Sequence, residues 1–401
     1  MKLRSSEPYW LEKNGIINSY PSLRKNAKTD ILIIGGGITG SLIAHQCVKD
    51  GYKTMLVDKR EIAHGSTSAT TSMLQYEIDV PLNELIEKIG KDAAVANYRA
   101  CSDSIDKLGQ ISKKVKSKCG FKKKESLYFA AYKKDVTGLK KEFNVRKENG
   151  FAVKWLGSEQ IQAMFGIHDT YGGILSDQGG SIDAFRLAHD ILAYNFNKGL
   201  EIYDKTNIAK TVYKKNGVNI TLENGCVVQA TKLIYCNGFE STEIIEEKFV
   251  NLLSTFAMVG EQLEDNQDRL KNTLFWNTAD PYIYMRTTED GRLLIGGEDE
   301  AYVNAEKRNS KIGDKAKKLE KYLHKILPEY DFVNDFAWAG TFGETKDGLP
   351  YIGAHKDFQS TYFVLGFGGN GITFSVIGMD IISSLLKNEE HSLSKSYRFG
   401  R

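Results

Sequence analysis

From Asp30 the chain leaves a polar leader and enters a regular alternation of apolar and polar stretches. Residues 31–34 (ILII) form an apolar, β-branched run, and GGGITG follows as a glycine turn. SLIAHQCVKD then spaces its apolar residues as a helix does, up to Gly51, and YKTMLVD is a second apolar run. The pattern reads as strand, tight turn, helix and strand, a βαβ unit. Residues 31–48 carry no Asp, Glu, Lys or Arg over a length close to that of a membrane span. Gly35, Gly36, Gly37, Gly40, His45 and Gln46 interrupt that run, so the βαβ reading is preferred and no membrane span is expected.

Downstream, residues 83–118 and 135–150 read as charged amphipathic helices around a strand at 126–132. The segment 181–199 reads as a helix closed by Gly199. EIYDKT, AKTVYKK, GVNITLE and GCVVQA are short alternating runs punctuated by Asn216-Gly217 and Asn224-Gly225, which predicts an antiparallel meander. ATKLIYCNG returns to a buried strand. Alternation resumes over 255–300, with a hairpin turning at Asp290-Gly291, and a helix is expected at 372–386. The leader 1–29, with Pro8-Tyr9-Trp10, is expected to pack on the body.

Composition narrows the class. A chain of 401 residues can bury a substantial core, and 37 Gly against 6 Pro point to tight turns rather than linkers. The five cysteines are scattered with no CxxC pair, which argues against a zinc site or a disulfide framework. MKLRSSEPYWLEKNG lacks the apolar region of a signal peptide, so a cytoplasmic location is expected. The net charge of +3 hides a basic stretch at 107–147, where fourteen Lys and Arg face only Glu125, Asp135 and Glu142. Such a stretch can meet nucleic-acid phosphates. Few aromatics interleave it as stacking platforms, so it reads as a solvated helical face and no nucleic-acid partner is expected.

Gly35, Gly37 and Gly40 match GxGxxG between a strand and a helix, the context in which that pattern points to a dinucleotide. The first allows the tight turn, the second lets the backbone approach a pyrophosphate, and the third lets helix and strand pack. The helix N-terminus offers free N–H groups and partial positive charge to the diphosphate. Asp58 ends the second strand, where a carboxylate can accept hydrogen bonds from an adenosine ribose. This unit alone admits NAD or FAD. The hydroxyl-rich GSTSATTSML after His64 can serve a diphosphate and a ribityl chain.

In order and spacing, five blocks resemble the FAD-dependent oxidoreductases of the D-amino-acid oxidase, glycine oxidase and sarcosine oxidase type. They are DILIIGGGITG, the acid at Asp58, GSTSATTSML, ATKLIYCNG, and WAGTFGETKDGLPYIG with GFGGNGIT, together spanning about residues 30–386. Their style is similar to gamma-glutamylputrescine oxidoreductase-like members. The resemblance implies an α/β fold with a Rossmann-like FAD-binding domain (30–80, 151–240 and 335–395) and a discontinuous, antiparallel-sheet substrate domain (81–150 and 241–334). It places Gly35, Gly37, Ile38, Thr39 and Gly40 at the pyrophosphate and Asp58, Lys59 and Ile208 at the adenosine. Ser66 and Thr67 fall along the diphosphate, and Ser72, Met73 and Leu74 near the flavin ring. Gly238 closes a strand beside the cofactor, and Gly368, Gly369, Asn370, Gly371, Ile372 and Thr373 lie beneath the flavin pyrimidine. No metal is implied.

The implied reaction is oxidation of an amine C–N bond by hydride transfer to flavin N5, followed by imine hydrolysis, with oxygen or a carrier as electron acceptor. Tyr284 and Arg286 are the implied substrate-facing residues, Arg286 as a partner for a carboxylate. Phe342 stands where amino-acid oxidases of the family carry an arginine that clamps the substrate carboxylate, which argues against an α-amino acid substrate. Leu294 stands where sarcosine oxidases carry the lysine that activates oxygen. The C-terminal block lacks the cysteine that tethers FAD in those enzymes, and nothing supports His64 as a tether, so FAD is expected to be non-covalent. The alternatives are a flavoenzyme acting on a modified tRNA base and an NAD-binding dehydrogenase.

Overall fold

The computed structural model describes residues 1–262, 268–366 and 368–401. Its centre is an eight-stranded sheet nucleated by the βαβ unit, in which Ala27–Ile34 runs parallel to Thr54–Val57 on one side and to Val227–Tyr235 on the other. Thr361–Leu365 extends the parallel order, and Tyr351–Ala354 closes that edge antiparallel. The helices Ile38–Lys49, Ala184–Phe196 and Gly371–Leu386 contribute Leu42, Ile43, Leu187, Ile191, Phe374 and Ile377 to the main core. Each such side chain contributes about 1.5–3 kcal/mol by leaving water.

A ten-stranded sheet forms the second layer. Its long strands Asn251–Gln262, Arg292–Glu300 and Asn334–Glu344 are antiparallel neighbours, continued through Tyr284–Thr287, Thr273–Asn277, Lys122–Phe129, Gly173–Ser181 and Met73–Gln75. The helix Ala305–Ile326 covers one face through Leu319 and Leu323, which join Met258, Ile295 and Phe332 in a second core. The expected hairpin at Asp290-Gly291 forms, with Gly291 at φ +85°.

Several local expectations are corrected. Gly90, at φ +85°, divides the helix expected at 83–118 into Leu82–Ile89 and Lys91–Lys114. The strand expected at 126–132 starts earlier, as Lys122–Phe129. Glu201–Tyr203 does not join the meander but pairs parallel with Thr54–Val57, and the hairpin Ile208–Lys214/Gly217–Leu222 docks on Val227–Tyr235 instead. The boundaries also change. Met73–Gln75, Val153–Leu156, Gly173–Ser181 and all but the first residue of Asn334–Glu344 fall within the expected FAD-binding part and lie in the ten-stranded sheet. The leader takes part as well: Arg4–Ser5 pairs with Asn334–Glu344, and Tyr9 and Trp10 are buried.

The basic stretch is dispersed over several elements. Lys107, Lys123 and Lys141 pair with Asp380, Asp106 and Glu87, while Lys124 and Arg146 are buried. Among the described residues, no helix is long and apolar enough to cross a membrane.

Candidate active site

A cavity of about 740 Å³ lies between the two sheets, within the range of about 300–1,000 Å³ typical of cofactor sites. One end lies at the carboxyl ends of the parallel strands, the crevice in which open α/β sheets bind nucleotides. Gly35, Gly37, Ile38 and Thr39 line it. A Cβ on Gly37 would come within 2.8 Å of Thr67 Oγ1, and one on Gly40 within 1.8 Å of the Gly35 carbonyl oxygen. Gly37 thus opens the cradle, while Gly40, outside the lining, lets the helix sit against the turn. Gly37, at the N-cap of the helix Ile38–Lys49, has no side chain to cover that end, so the N-terminus faces the cavity with partial positive charge.

Asp58 lines the same end, where its carboxylate accepts from the N–H groups of Gly36 (2.6 Å) and Arg60 (2.8 Å). Burial pushes its pKa up, against those two hydrogen bonds. Lys59, Ile208 and Gly238 complete this wall, with Glu240 bound to both Lys59 and Arg60. Ser66 and Thr67 border the middle of the cavity, and Thr67 Oγ1 accepts from the Ile38 N–H at 3.0 Å. Ser66 Oγ and Asn237 Oδ1 are buried without a protein partner. The helix N-terminus, the glycine cradle and these orphaned polar atoms fit an elongated dinucleotide with a diphosphate at its centre.

The other end abuts the ten-stranded sheet. Met73, Gly368, Gly369, Gly371 and Ile372 line it, at the uncapped N-terminus of the helix Gly371–Leu386. The turn before that helix is held from below. Gly369 N–H donates to Asp79 (2.9 Å), Asn370 Nδ2 donates to the Gln75 carbonyl (2.9 Å), and Thr373 Oγ1 donates to the Asn370 carbonyl. Asn370, Thr373, Leu74 and Ser72 lie outside the lining and act as supports for it.

The loop before Met73 is clamped with unusual completeness. Three consecutive carbonyls each receive one side-chain N–H: Ala69 from Trp338 Nε1 (2.8 Å), Thr70 from Trp10 Nε1 (2.6 Å) and Thr71 from Arg286 Nε (2.7 Å). Ser72 then adopts φ +55°. The geometry sets Arg286 behind this loop. Its side chain is fully buried, it also donates to the Ile182 and Thr287 carbonyls, and it lies over the Trp10 ring at 5.4 Å. Arg286 also pairs with Glu289 at 3.3 Å, is not among the cavity lining and holds the loop from behind, away from a substrate carboxylate.

Tyr284 does line the cavity, and burial raises its pKa, so it stays a neutral hydroxyl. A Cβ on Gly296 would meet its ring at 2.5 Å, so that glycine lets the ring lie across the sheet. Phe342 lines the cavity, whereas Leu294 is buried in the core and His64 is outside the lining. Sequence reasoning missed Thr255, Tyr282 and Asp299 in this wall and Asp79 beneath it. Only Tyr282 had a signal, its alternation with Tyr284.

The family model described as "FAD dependent oxidoreductase" matches residues 30–383. The chain belongs to this family. The cofactor is therefore FAD, and the NAD-dehydrogenase alternative falls. Among curated relatives, the chain is 23% identical over 375 residues to glycine oxidase of Bacillus subtilis, covering 90% of this chain and 94% of that protein. It is 20% identical over 379 residues to gamma-glutamylputrescine oxidoreductase of Escherichia coli, covering 92% and 86%. The crystal structure of L-proline dehydrogenase from P. horikoshii superposes with a TM-score of 0.77 at 17% identity, covering 93% of this chain and 97% of that one. The flavoenzyme thus shares its fold with enzymes named for different substrates, so the fold alone does not fix the substrate.

Proposed function

We propose that this flavoenzyme oxidises the C–N bond of a small amine. The observation that carries the reading is the wall facing the flavin end of the cavity. It presents hydroxyls, aromatic rings and one carboxylate, through Thr255, Tyr282, Tyr284 and Asp299. FAD, when bound, would supply the acceptor for the hydride that leaves the carbon beside a neutral amine; the resulting iminium would then be hydrolysed by water to a carbonyl compound and an ammonium ion.

The chain's own work is positioning. The glycine cradle and the helix N-terminus at Ile38 hold the diphosphate, and the clamped loop 69–72 with Met73 fixes one border of the ring site. Tyr282 and Tyr284 orient the substrate. The open N-terminus of Gly371–Leu386 favours negative charge developing on the cofactor side. The test is anaerobic mixing of the FAD-loaded protein with a panel of amines while the flavin absorbance is followed. Bleaching by an amine is the expected result. A protein that retains FAD and is bleached by no amine overturns the reading.

A further inference from the structure

The substrate wall is distinctive in its charge. Among the described lining residues, the cations are Lys59, Arg60 and Lys210, all carried by the eight-stranded-sheet half at the adenosine end. On the ten-stranded sheet the one charged lining residue is Asp299. Its position results from a β-bulge: Phe256 faces Gly297 and Ser254 faces Glu300, so the strand Arg292–Glu300 carries an extra residue there. Gly297 and Glu298 adopt φ +136° and +58°, and the bulge re-aims Asp299 towards Thr255 and the cavity.

Asp299 Oδ1 is shut off from solvent and has no hydrogen-bond partner. Tyr282 and Tyr284 flank it, with ring centroids 5.7 Å apart, and Phe342 adds a third ring to the lining. Asp79 and Glu344 lie close enough to raise the pKa values nearby: burial first, then Glu344, lifts Asp299 to about 6, and burial, then Glu344 and Asp299, lifts Asp79 to about 6. Thr255, by a hydrogen bond, and Lys315, by its charge, pull Asp299 the other way. Lys315 binds Glu298 and Glu300, and Arg308 binds Ser5, Thr341 Oγ1 and the Lys2 carbonyl. Among the described residues, no group of three His, Cys, Asp or Glu is placed to hold a metal ion. An organic cation suits this site: its charge meets the Asp299 carboxylate, which keeps one oxygen without a hydrogen-bond partner, and its alkyl carbons and ammonium lie on aromatic faces.

We propose that the substrate is a cationic amine with no carboxylate beside its reacting nitrogen, a diamine or polyamine, and that Asp299 with Tyr282 and Tyr284 recognises its positive charge. The proposal rests on the amine-oxidising reading above and names its substrate class. A substrate carboxylate would meet Asp299 where, among the described residues, no cation of the ten-stranded sheet lines the cavity, so glycine or proline is disfavoured at the same wall. As pH falls through about 6, Asp299 and Asp79 take up protons, and the affinity for a cation falls.

Hexamethonium, a bis-quaternary alkylammonium with no oxidisable amine, separates recognition from chemistry. Calorimetric titration of the FAD-loaded full chain is expected to show binding that weakens with salt, and no binding of succinate. Asp299→Asn, checked for retained FAD and unfolding midpoint, is expected to weaken hexamethonium about 10- to 100-fold, through loss of a charge–charge attraction in a partly desolvated site. Phe342→Arg, a second variant at another strand, is expected to lower hexamethonium affinity at least tenfold and to admit succinate. Unchanged hexamethonium binding in Asp299→Asn, or succinate bound in preference by the unaltered protein, overturns the proposal. In anaerobic bleaching, putrescine or spermidine is expected to reduce the flavin. Reduction by glycine or proline alone overturns the cation proposal and leaves amine oxidation standing. Hexamethonium binding without bleaching by any amine supports cation recognition and overturns amine oxidation.

Discussion

Replacing Arg286 by Met tests whether this arginine serves the substrate or the loop. Its guanidinium is fully buried and donates to the Thr71 (2.7 Å), Ile182 (3.0 Å) and Thr287 (3.0 Å) carbonyls. Lys124 Nζ also reaches the Thr287 carbonyl, at 3.0 Å, so that acceptor keeps a partner. The Thr71 and Ile182 carbonyls lose theirs, at about 1.5–3 kcal/mol for each hydrogen bond to a charged group. The expected destabilisation is about 3–6 kcal/mol, a large part of the roughly 5–15 kcal/mol that holds a typical protein folded. With an unfolding entropy of about 2.1 cal/mol/K per residue over 401 residues, the midpoint falls by about 4–7 °C. Thermal unfolding of the FAD-loaded protein, followed by circular dichroism and by release of flavin fluorescence, reads both the fold and the loop. Cofactor release is expected to shift at least as far as unfolding, because Thr71 borders the cavity. KM for a bleaching amine, measured at saturating FAD, should change less than threefold. An unmoved midpoint combined with a tenfold rise in KM would show that Arg286 contacts substrate and refute the clamp.

Gly40→Ala drives its Cβ into the Gly35 backbone, whereas Gly37→Ala meets the movable Thr67 hydroxyl. Gly40→Ala should therefore cost about 1–3 kcal/mol of stability as well as FAD binding, and Gly37→Ala chiefly FAD binding, as read by denaturant titration and cofactor content. Asp58→Ala removes the acceptor for Gly36 and Arg60 and should raise the FAD dissociation constant about 10- to 100-fold in fluorescence titration; an unchanged constant would exclude Asp58 from the site. Lys124 is buried against Thr287, and desolvation lowers its pKa to about 7. Between pH 7 and its ordinary value near 10.5 the unfolded chain binds the extra proton, so this group makes stability rise with pH over that window, by at most about 1.4 kcal/mol per unit. Lys124→Met should flatten that rise; a denaturation profile with the same slope in the variant would refute it.

The βαβ unit was legible because three signals coincide there: a β-branched run, glycines at fixed offsets and helical spacing up to Gly51. The FAD assignment held for a similar reason, since several blocks keep a common order over most of the chain. Sheet membership was much less visible. Val153–Leu156 and Glu201–Tyr203 are short runs of ordinary alternation, and which sheet they join depends on partners far along the chain: Val153–Leu156 pairs with Gly173–Ser181, and Glu201–Tyr203 with Thr54–Val57. Arg286 illustrates a different limit. Period two correctly places it on the same side as Tyr284, but the loop carbonyls that occupy its guanidinium come from Thr71 and Ile182. Asp299 was hidden because its orientation follows from a bulge, and a bulge reverses the face that alternation assigns.

The pairing of Arg4–Ser5 with Asn334–Glu344 joins nearly the two extremes of the sequence. At about 5–20 residues per second of synthesis, roughly 20–70 s separate the appearance of these two partners on the ribosome. Throughout that interval Trp10 has no Thr70 loop in its final setting, and the edge of the larger sheet stays open. Long-range closure of this kind slows folding. Flavin capture is therefore expected to be a late event in the life of the nascent chain, which makes cofactor supply during expression a determinant of yield.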